Sequence, residues 1–111
     1  MRMFYENKLA ITVIDIIELE EIGASEDDTE TISQIARTIE GVQIGVMMRE
    51  KIYDGKVGYK FSVRANADTD VSLLCAHFGG GGHKKAAGCT IFDEKSAALR
   101  AFVKEAEKYL V

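Results

Sequence analysis

Four consecutive glycines, Gly79–Gly82, sit between packed-looking residues in a chain of 111. Glycine gives up more backbone freedom on folding than any other residue, so a run of four is costly. A plain turn needs only one or two. Flexible glycine linkers come with serine, whereas here Phe78 precedes the run and His83-Lys84-Lys85-Ala86-Ala87-Gly88 follows it. The pattern predicts a shaped loop whose backbone something approaches closely, with no Cβ in the way. Successive backbone N–H groups can form a concave nest for an anion. His83, Lys84 and Lys85 add donors and positive charge around a phosphate-sized space. Gly80, Gly81, Gly82, His83 and Lys84 are therefore candidate phosphate-binding residues. The run is neither a Walker A loop nor a dinucleotide-binding fingerprint: it lacks Gly-Lys-Ser/Thr and follows a helical stretch, not a strand.

Periodicity around the run predicts the scaffold. Leu9, Ile11 and Val13 alternate with Ala10 and Thr12 as a short strand. Asp15 is placed to cap a brief helical turn over 16–22. A helix carrying Ile32, Ile35, Ala36 and Ile39 follows, closed by Gly41 at its C′ position. Val42, Ile44, Val46 and Met48 alternate as a second strand, and Val57, Tyr59, Phe61 and Val63 as a third. Asp54-Gly55 between them is a hairpin turn signal. Asp70 is placed to cap a helix with an apolar stripe of Val71, Leu74, Cys75 and Phe78. Cys89–Phe92 reads as a strand. Asp93 is placed to cap a last helix with Leu99, Phe102, Val103, Ala106 and Leu110 on one face. The expected fold is α/β (α+β): a single small mixed sheet of about four to five strands with helices packed on it. The domain is expected over residues 9–111, with 1–8 a linker or start segment.

On the third strand Lys60, Ser62 and Arg64 share the face opposite Tyr59, Phe61, Val63 and Ala65. Ser62 and Arg64 side by side offer a hydroxyl and a guanidinium fork to one oxyanion, and both join the candidate list. Lys60 reads as a solvated strand residue.

Charge argues for a small anionic partner. The chain carries 14 basic and 18 acidic residues, yet seven basic and only four acidic ones fall within 49–85. A basic island in an acidic domain suits a compact anion better than duplex DNA, which would call for a broadly basic chain. Asp15–Glu30 holds eight acids and no base. It lacks the alternating ligands and central glycine of a calcium loop and reads as a solvated face. Cys75, His77, His83 and Cys89 do not have zinc-finger spacing. Cys75 lies on an apolar stripe, so a buried free thiol is expected, and His77 falls off that stripe at the surface. Tyr53, Tyr59, Phe61 and Phe92 are of a type that stacks on bases, but Tyr59 and Phe61 share the apolar strand face and read as core. No apolar run is long enough to span a bilayer and no signal peptide is recognisable, so a cytoplasmic location is expected.

Gly79–Gly82, His83 and Ala86-Ala87-Gly88, with Ser62-Val63-Arg64 upstream, resemble the DHHA1 domain. This is the C-terminal substrate-binding domain of DHH-family phosphoesterases, here of the oligoribonuclease and phosphoadenosine-phosphate phosphatase type. The resemblance runs from about Leu9 to the last helix. It implies that the glycine loop and His83 bind the phosphate or nucleotide end of a substrate and that Arg64 helps grip it. Ala65 stands where the family pattern has a second serine. The resemblance further implies a short RNA or nucleotide substrate and an N-terminal DHH domain with a two-manganese site. It leaves a homodimer open. This chain's 111 residues carry no Asp-His-His signature, so no catalytic residue, metal ligand or cofactor is expected among them. The alternative function is a non-catalytic RNA-binding or dimerising module like the C-terminal domain of alanyl-tRNA synthetase.

Overall fold

The computed structural model describes residues 2–14, 41–66 and 68–110. The expected turn over 16–22 and helix around Ile32–Ile39 lie outside these residues. Six strands form one sheet: β1 (Arg2–Phe4), β2 (Leu9–Ile14), β3 (Ile44–Tyr53), β4 (Lys56–Ala65), β5 (Gly81–His83) and β6 (Ala86–Ile91). Their spatial order is β1-β2-β3-β4-β6-β5. Only β2 and β3 run parallel; every other neighbouring pair is antiparallel. Among the described residues two helices, α1 (Val71–His77) and α2 (Lys95–Ala106), accompany the sheet, and a 3₁₀ turn over Glu107–Tyr109 follows α2. No helix among the described residues is long and apolar enough to cross a membrane.

The β3–β4 hairpin turns where Asp54-Gly55 predicts. Both residues have positive φ, 50° and 77°, as a two-residue turn matching the strand twist requires. The turn fixes Tyr53 opposite Lys56, and that register carries along ten paired residues to Ile44 opposite Ala65. One face of β4 is thereby committed to the core through Tyr59, Phe61, Val63 and Ala65. Phe61 stacks on Phe102 of α2 with ring centroids 4.4 Å apart, and Phe78 lies 6.0 Å beyond Phe102. Leu74 and Cys75 of α1, and Ala98, Leu99 and Ala106 of α2, close the same core. Central β3 is buried on both faces from Ile44 to Met48, so its alternation marks only half of its buried side chains.

The short edge strands have weaker signals. Arg2–Phe4, within the expected lead-in segment, pairs with Leu9–Ile11. Gly81–His83, expected as loop, pairs with Ala86–Gly88 across Lys84-Lys85. At α2 the N-cap is Glu94, not Asp93: the Asp93 carboxylate instead accepts from the Glu94 N–H at 2.7 Å. Glu105, an acid on the inward face of α2, is buried and stays paired. Lys108 Nζ lies 2.9 Å from one of its oxygens and His77 Nδ1 3.4 Å from the other.

Candidate functional site

The glycine run divides into two structural jobs. Gly79, with φ of 82°, is the left-handed residue that ends α1. Its N–H bonds the Ala76 carbonyl at 3.0 Å, and the Gly80 N–H bonds the Cys75 carbonyl at 2.9 Å. This pair of back-bonds is a Schellman closure of the helix. Two of the four amides expected to face an anion are therefore committed to the helix end, which corrects the picture of one continuous nest. Gly80 is held tightly: a Cβ there would lie 2.2 Å from the Gly88 carbonyl oxygen. Gly82, with φ of 148°, is also crowded: a Cβ there would lie 2.7 Å from the Ala86 carbonyl oxygen and from Ala87 Cα. Gly81 alone of the four has an ordinary φ and no neighbour within 4 Å of where a Cβ would stand. The fold thus accounts for glycine at 79, 80 and 82 but places no such demand at 81.

Strand register brings the other candidates together. Gly45, Arg64, Ala86 and His83 lie opposite one another across β3, β4, β6 and β5. The next rung along is Met47, Ser62, Gly88 and Gly81. Directly opposed residues point to the same face. Ser62, Arg64, Gly81 and His83 therefore share the sheet face opposite the Phe61–Phe102 core. Between Arg64 and His83 stands only the methyl of Ala86, and between Ser62 and Gly81 only the hydrogen of Gly88. Strand spacing puts the Arg64 and His83 backbones roughly 10 Å apart, a gap that two long side chains can close on one anion. Arg64 is half-buried and donates through Nη1 to the Val63 carbonyl at 2.9 Å. Burial lowers its pKa from the ordinary guanidinium value, while the nearby Cys75 thiol acts in the opposite direction. The guanidinium remains a cation at neutral pH.

Gly80 and Gly82 do not join this face. Lys84 stands in the adjoining β5–β6 turn, exposed. Its carbonyl accepts from the Val71 N–H at 2.9 Å, as the Lys85 carbonyl accepts from Ala65 at 2.9 Å. These two bonds tie the turn to the start of α1 and the end of β4, so the row is held at both ends. Beneath it, on the core side, Cys75 and Cys89 are both free and buried. A hydrogen bond from the Cys89 thiol lowers the Cys75 pKa, helped by the Arg64 charge. The same bond and burial raise that of Cys89.

Next to the row lies a cavity of about 500 Å³ that includes Lys60, Phe78, Gly80, Gly88, Thr90 and Phe92 in its lining. Lys60 and Thr90 form the rung after Ser62 and Gly88. The sequence carried this signal in the shared parity of residues 60, 62 and 64. A second cavity of about 390 Å³, with Arg2, Phe4, Arg100 and Lys104 among its lining, lies at the opposite edge of the sheet, remote from the row. Among the described residues no three His, Cys, Asp or Glu side chains converge as a metal would require. The described groups therefore do not form the ligand set of a two-manganese centre.

A model of the DHHA1 domain matches residues 6–111. The chain is a DHHA1 domain. Over 72 residues it is 33% identical to the bifunctional oligoribonuclease and PAP phosphatase NrnA of Thermus thermophilus, a stretch covering 65% of this chain and 21% of that protein. An exopolyphosphatase-related protein from Bacteroides fragilis superposes with a TM-score of 0.80 at 25% identity, over 96% of this chain and 31% of that one. The C-Ala domain of Aquifex aeolicus alanyl-tRNA synthetase shares the fold, with a TM-score of 0.52 at 12% identity over 87% of this chain and 88% of that one. The DHHA1 chain thus spans between a fifth and a third of the length of the first two relatives.

Proposed function

We propose that this DHHA1 domain binds the phosphate of a short oligoribonucleotide or of 3′-phosphoadenosine-5′-phosphate for a metal-dependent phosphoesterase. The manganese ions and the water they activate would belong to an N-terminal DHH domain. The role of this chain is to orient the substrate and neutralise its charge, which accelerates phosphoryl chemistry without supplying a nucleophile. Arg64 contributes a guanidinium fork, His83 a ring donor and Ser62 a hydroxyl, while Gly81 leaves the backbone open to the oxyanion. The observation that carries this reading is the pair of adjacent rungs that sets Ser62, Arg64, Gly81 and His83 on one sheet face with nothing larger than a methyl between them. The likeness to an oligoribonuclease and PAP phosphatase points to the same substrate class.

The test is titration of the protein with a nucleoside monophosphate. His83→Ala is expected to weaken binding by about 1.5–3 kcal/mol, the value of a hydrogen bond to a charged group. The thermal transition should be unchanged, because the His83 side chain is exposed. Loss of the transition would make His83 a structural residue, and unchanged affinity would remove it from the site.

A further inference from the structure

The cavity of about 390 Å³ at the opposite edge of the sheet takes no part in the phosphate reading. It lies between β1 and α2 and falls in the size range of small-ligand sites. Its two walls are pinned to each other. The Tyr5 hydroxyl donates to the Val103 carbonyl at 3.0 Å and ties the end of β1 to α2. The Arg2 guanidinium stands 5.3 Å from the Phe4 ring centroid. Tyr5, Glu6 and Asn7 hold φ of 54°, 57° and 66°, left-handed values that non-glycine residues rarely adopt. Such a turn persists only where its surroundings impose it, and here it sets Tyr5 against α2.

Phe4, Leu99 and Val103 give the cavity an apolar floor. Three cations, Arg2, Arg100 and Lys104, stand exposed around it. Arg100 and Lys104 are one turn apart on α2 and share a face. Among the described residues no Asp or Glu joins this lining, although the chain carries more acids than bases. Glu6 and Glu107 line a separate hollow beyond Tyr5. Like charges gathered at one cavity repel one another, and a bound anion relieves that repulsion. An adjoining hollow of about 240 Å³ shares Arg2, Ser96 and Leu99 and adds Val13 and Lys95, so the apolar floor and cationic rim continue past Ser96.

We propose that the groove between β1 and α2 binds an amphiphilic anion, an acyl or aryl body with a carboxylate at one end. The body lies over Phe4, Leu99 and Val103, and Arg100 with Lys104 takes the carboxylate. A guanidinium offers two parallel N–H donors to a carboxylate, and an ammonium adds charge. A groove apolar throughout would suit a neutral hydrocarbon, and a flat basic patch would suit any polyanion. Apolar floor and cationic rim together select a ligand that has both parts. The groove is remote from the Arg64–His83 row, so the inference does not depend on how that row is read.

The experiment is an NMR titration of the protein with octanoate, octanamide and acetate. Octanoate should bind about tenfold more tightly than octanamide, or better, the range that a hydrogen bond to a charged group supplies. It should exceed acetate by at least as much, because acetate has almost no apolar surface to bury. Amide shifts should centre on Phe4, Leu99 and Val103. Arg100→Gln combined with Lys104→Gln removes two charges from exposed positions and should bring octanoate down to the octanamide affinity. Equal binding of octanoate and octanamide by the native protein overturns the inference, as does an octanoate preference that survives in the double variant. Shifts centred on Arg64 and His83 would move the anion to the phosphate row and overturn it too. Sedimentation completes the test: a concentration-dependent dimer that the double variant abolishes would give the groove to a second copy of the chain and overturn the assignment.

Discussion

At Gly80 a methyl group would stand 2.2 Å from the Gly88 carbonyl oxygen and 2.8 Å from Cys89 Cα, contacts that no real Cβ makes with backbone. Neither partner can yield cheaply, because Gly88 and Cys89 lie in β6 with their register to β4 fixed. Gly80→Ala should therefore cost about 1–3 kcal/mol, as overpacking does elsewhere. Gly81 sits one residue along with an ordinary φ and open space, on an edge strand where a β-branched side chain is welcome. Gly81→Val should change stability by no more than about 0.5 kcal/mol. Its methyls would nevertheless occupy the space in front of the Ser62 rung, so phosphate affinity should fall. Positive φ falls at Gly79 and Gly82 and not at Gly81, so the substitution acts through steric occupation alone. Urea midpoints for both variants, with a phosphate titration of Gly81→Val, check the pair. Equal destabilisation at 80 and 81 would mean that the run is needed as a whole and not glycine by glycine.

Among the elements, α1 depends most on its caps, because seven residues form barely two turns. Its C-terminus is closed by Gly79 and Gly80. Its N-terminus is held by Asp70, whose carboxylate accepts from the Ser72 N–H at 3.0 Å and from the Ser72 hydroxyl. The Ser72 hydroxyl bond, then the backbone bonds from Ser72 and Leu73 and the charge of Lys84, hold the Asp70 pKa below its ordinary 3.8 despite some desolvation. A carboxyl whose folded pKa is depressed stabilises fully above its unfolded pKa and loses that contribution as pH falls through the folded value. The helix should thus loosen below about pH 4, and Asp70→Asn, which still caps, should flatten that part of the stability–pH curve. Denaturation midpoints between pH 2 and 6 read this directly; a variant that follows the native slope would assign the acid sensitivity elsewhere. The Asp70 cap, the Asp54-Gly55 turn and the alternation of β4 were all legible in the sequence, because each is written in residues within a few positions of one another. β1 and β5 were not, since three residues carry no measurable period and two of the three in β5 are glycines. The site was half legible. Parity along β4 picks out Ser62 and Arg64, but that His83 shares their face depends on pairing between strands about twenty residues apart, which no local pattern encodes. Glu105 likewise reads as an outward acid until His77 and Lys108 are seen to meet it.

Over the whole molecule, binding and catalysis make opposite electrostatic demands. A phosphate site needs converging cations, and the 49–85 segment supplies them within an otherwise acidic chain. In-line displacement by a two-metal centre needs the reverse: several carboxylates and imidazoles around a pair of cations roughly 4 Å apart. The two histidines of this DHHA1 domain are set apart for other work. His77, at the end of α1, faces Glu105 and packs edge-on against Phe78, while His83 lies on the Arg64 rung at the sheet edge. Among the described residues no third ligand joins either one. Guanidinium and lysine groups near His83 would also repel a divalent cation at the one place where substrate phosphate is expected. The protein supplied with manganese and a dinucleotide is accordingly expected to bind the nucleotide without hydrolysing it. Product chromatography after prolonged incubation measures this, with the same preparation treated with chelator as the blank. Manganese-dependent turnover that survives purification, and that is lost on substituting residues of this chain, would mean that a metal centre assembles here after all. In that event the division of labour between a gripping domain and a metal-bearing one would have to be abandoned.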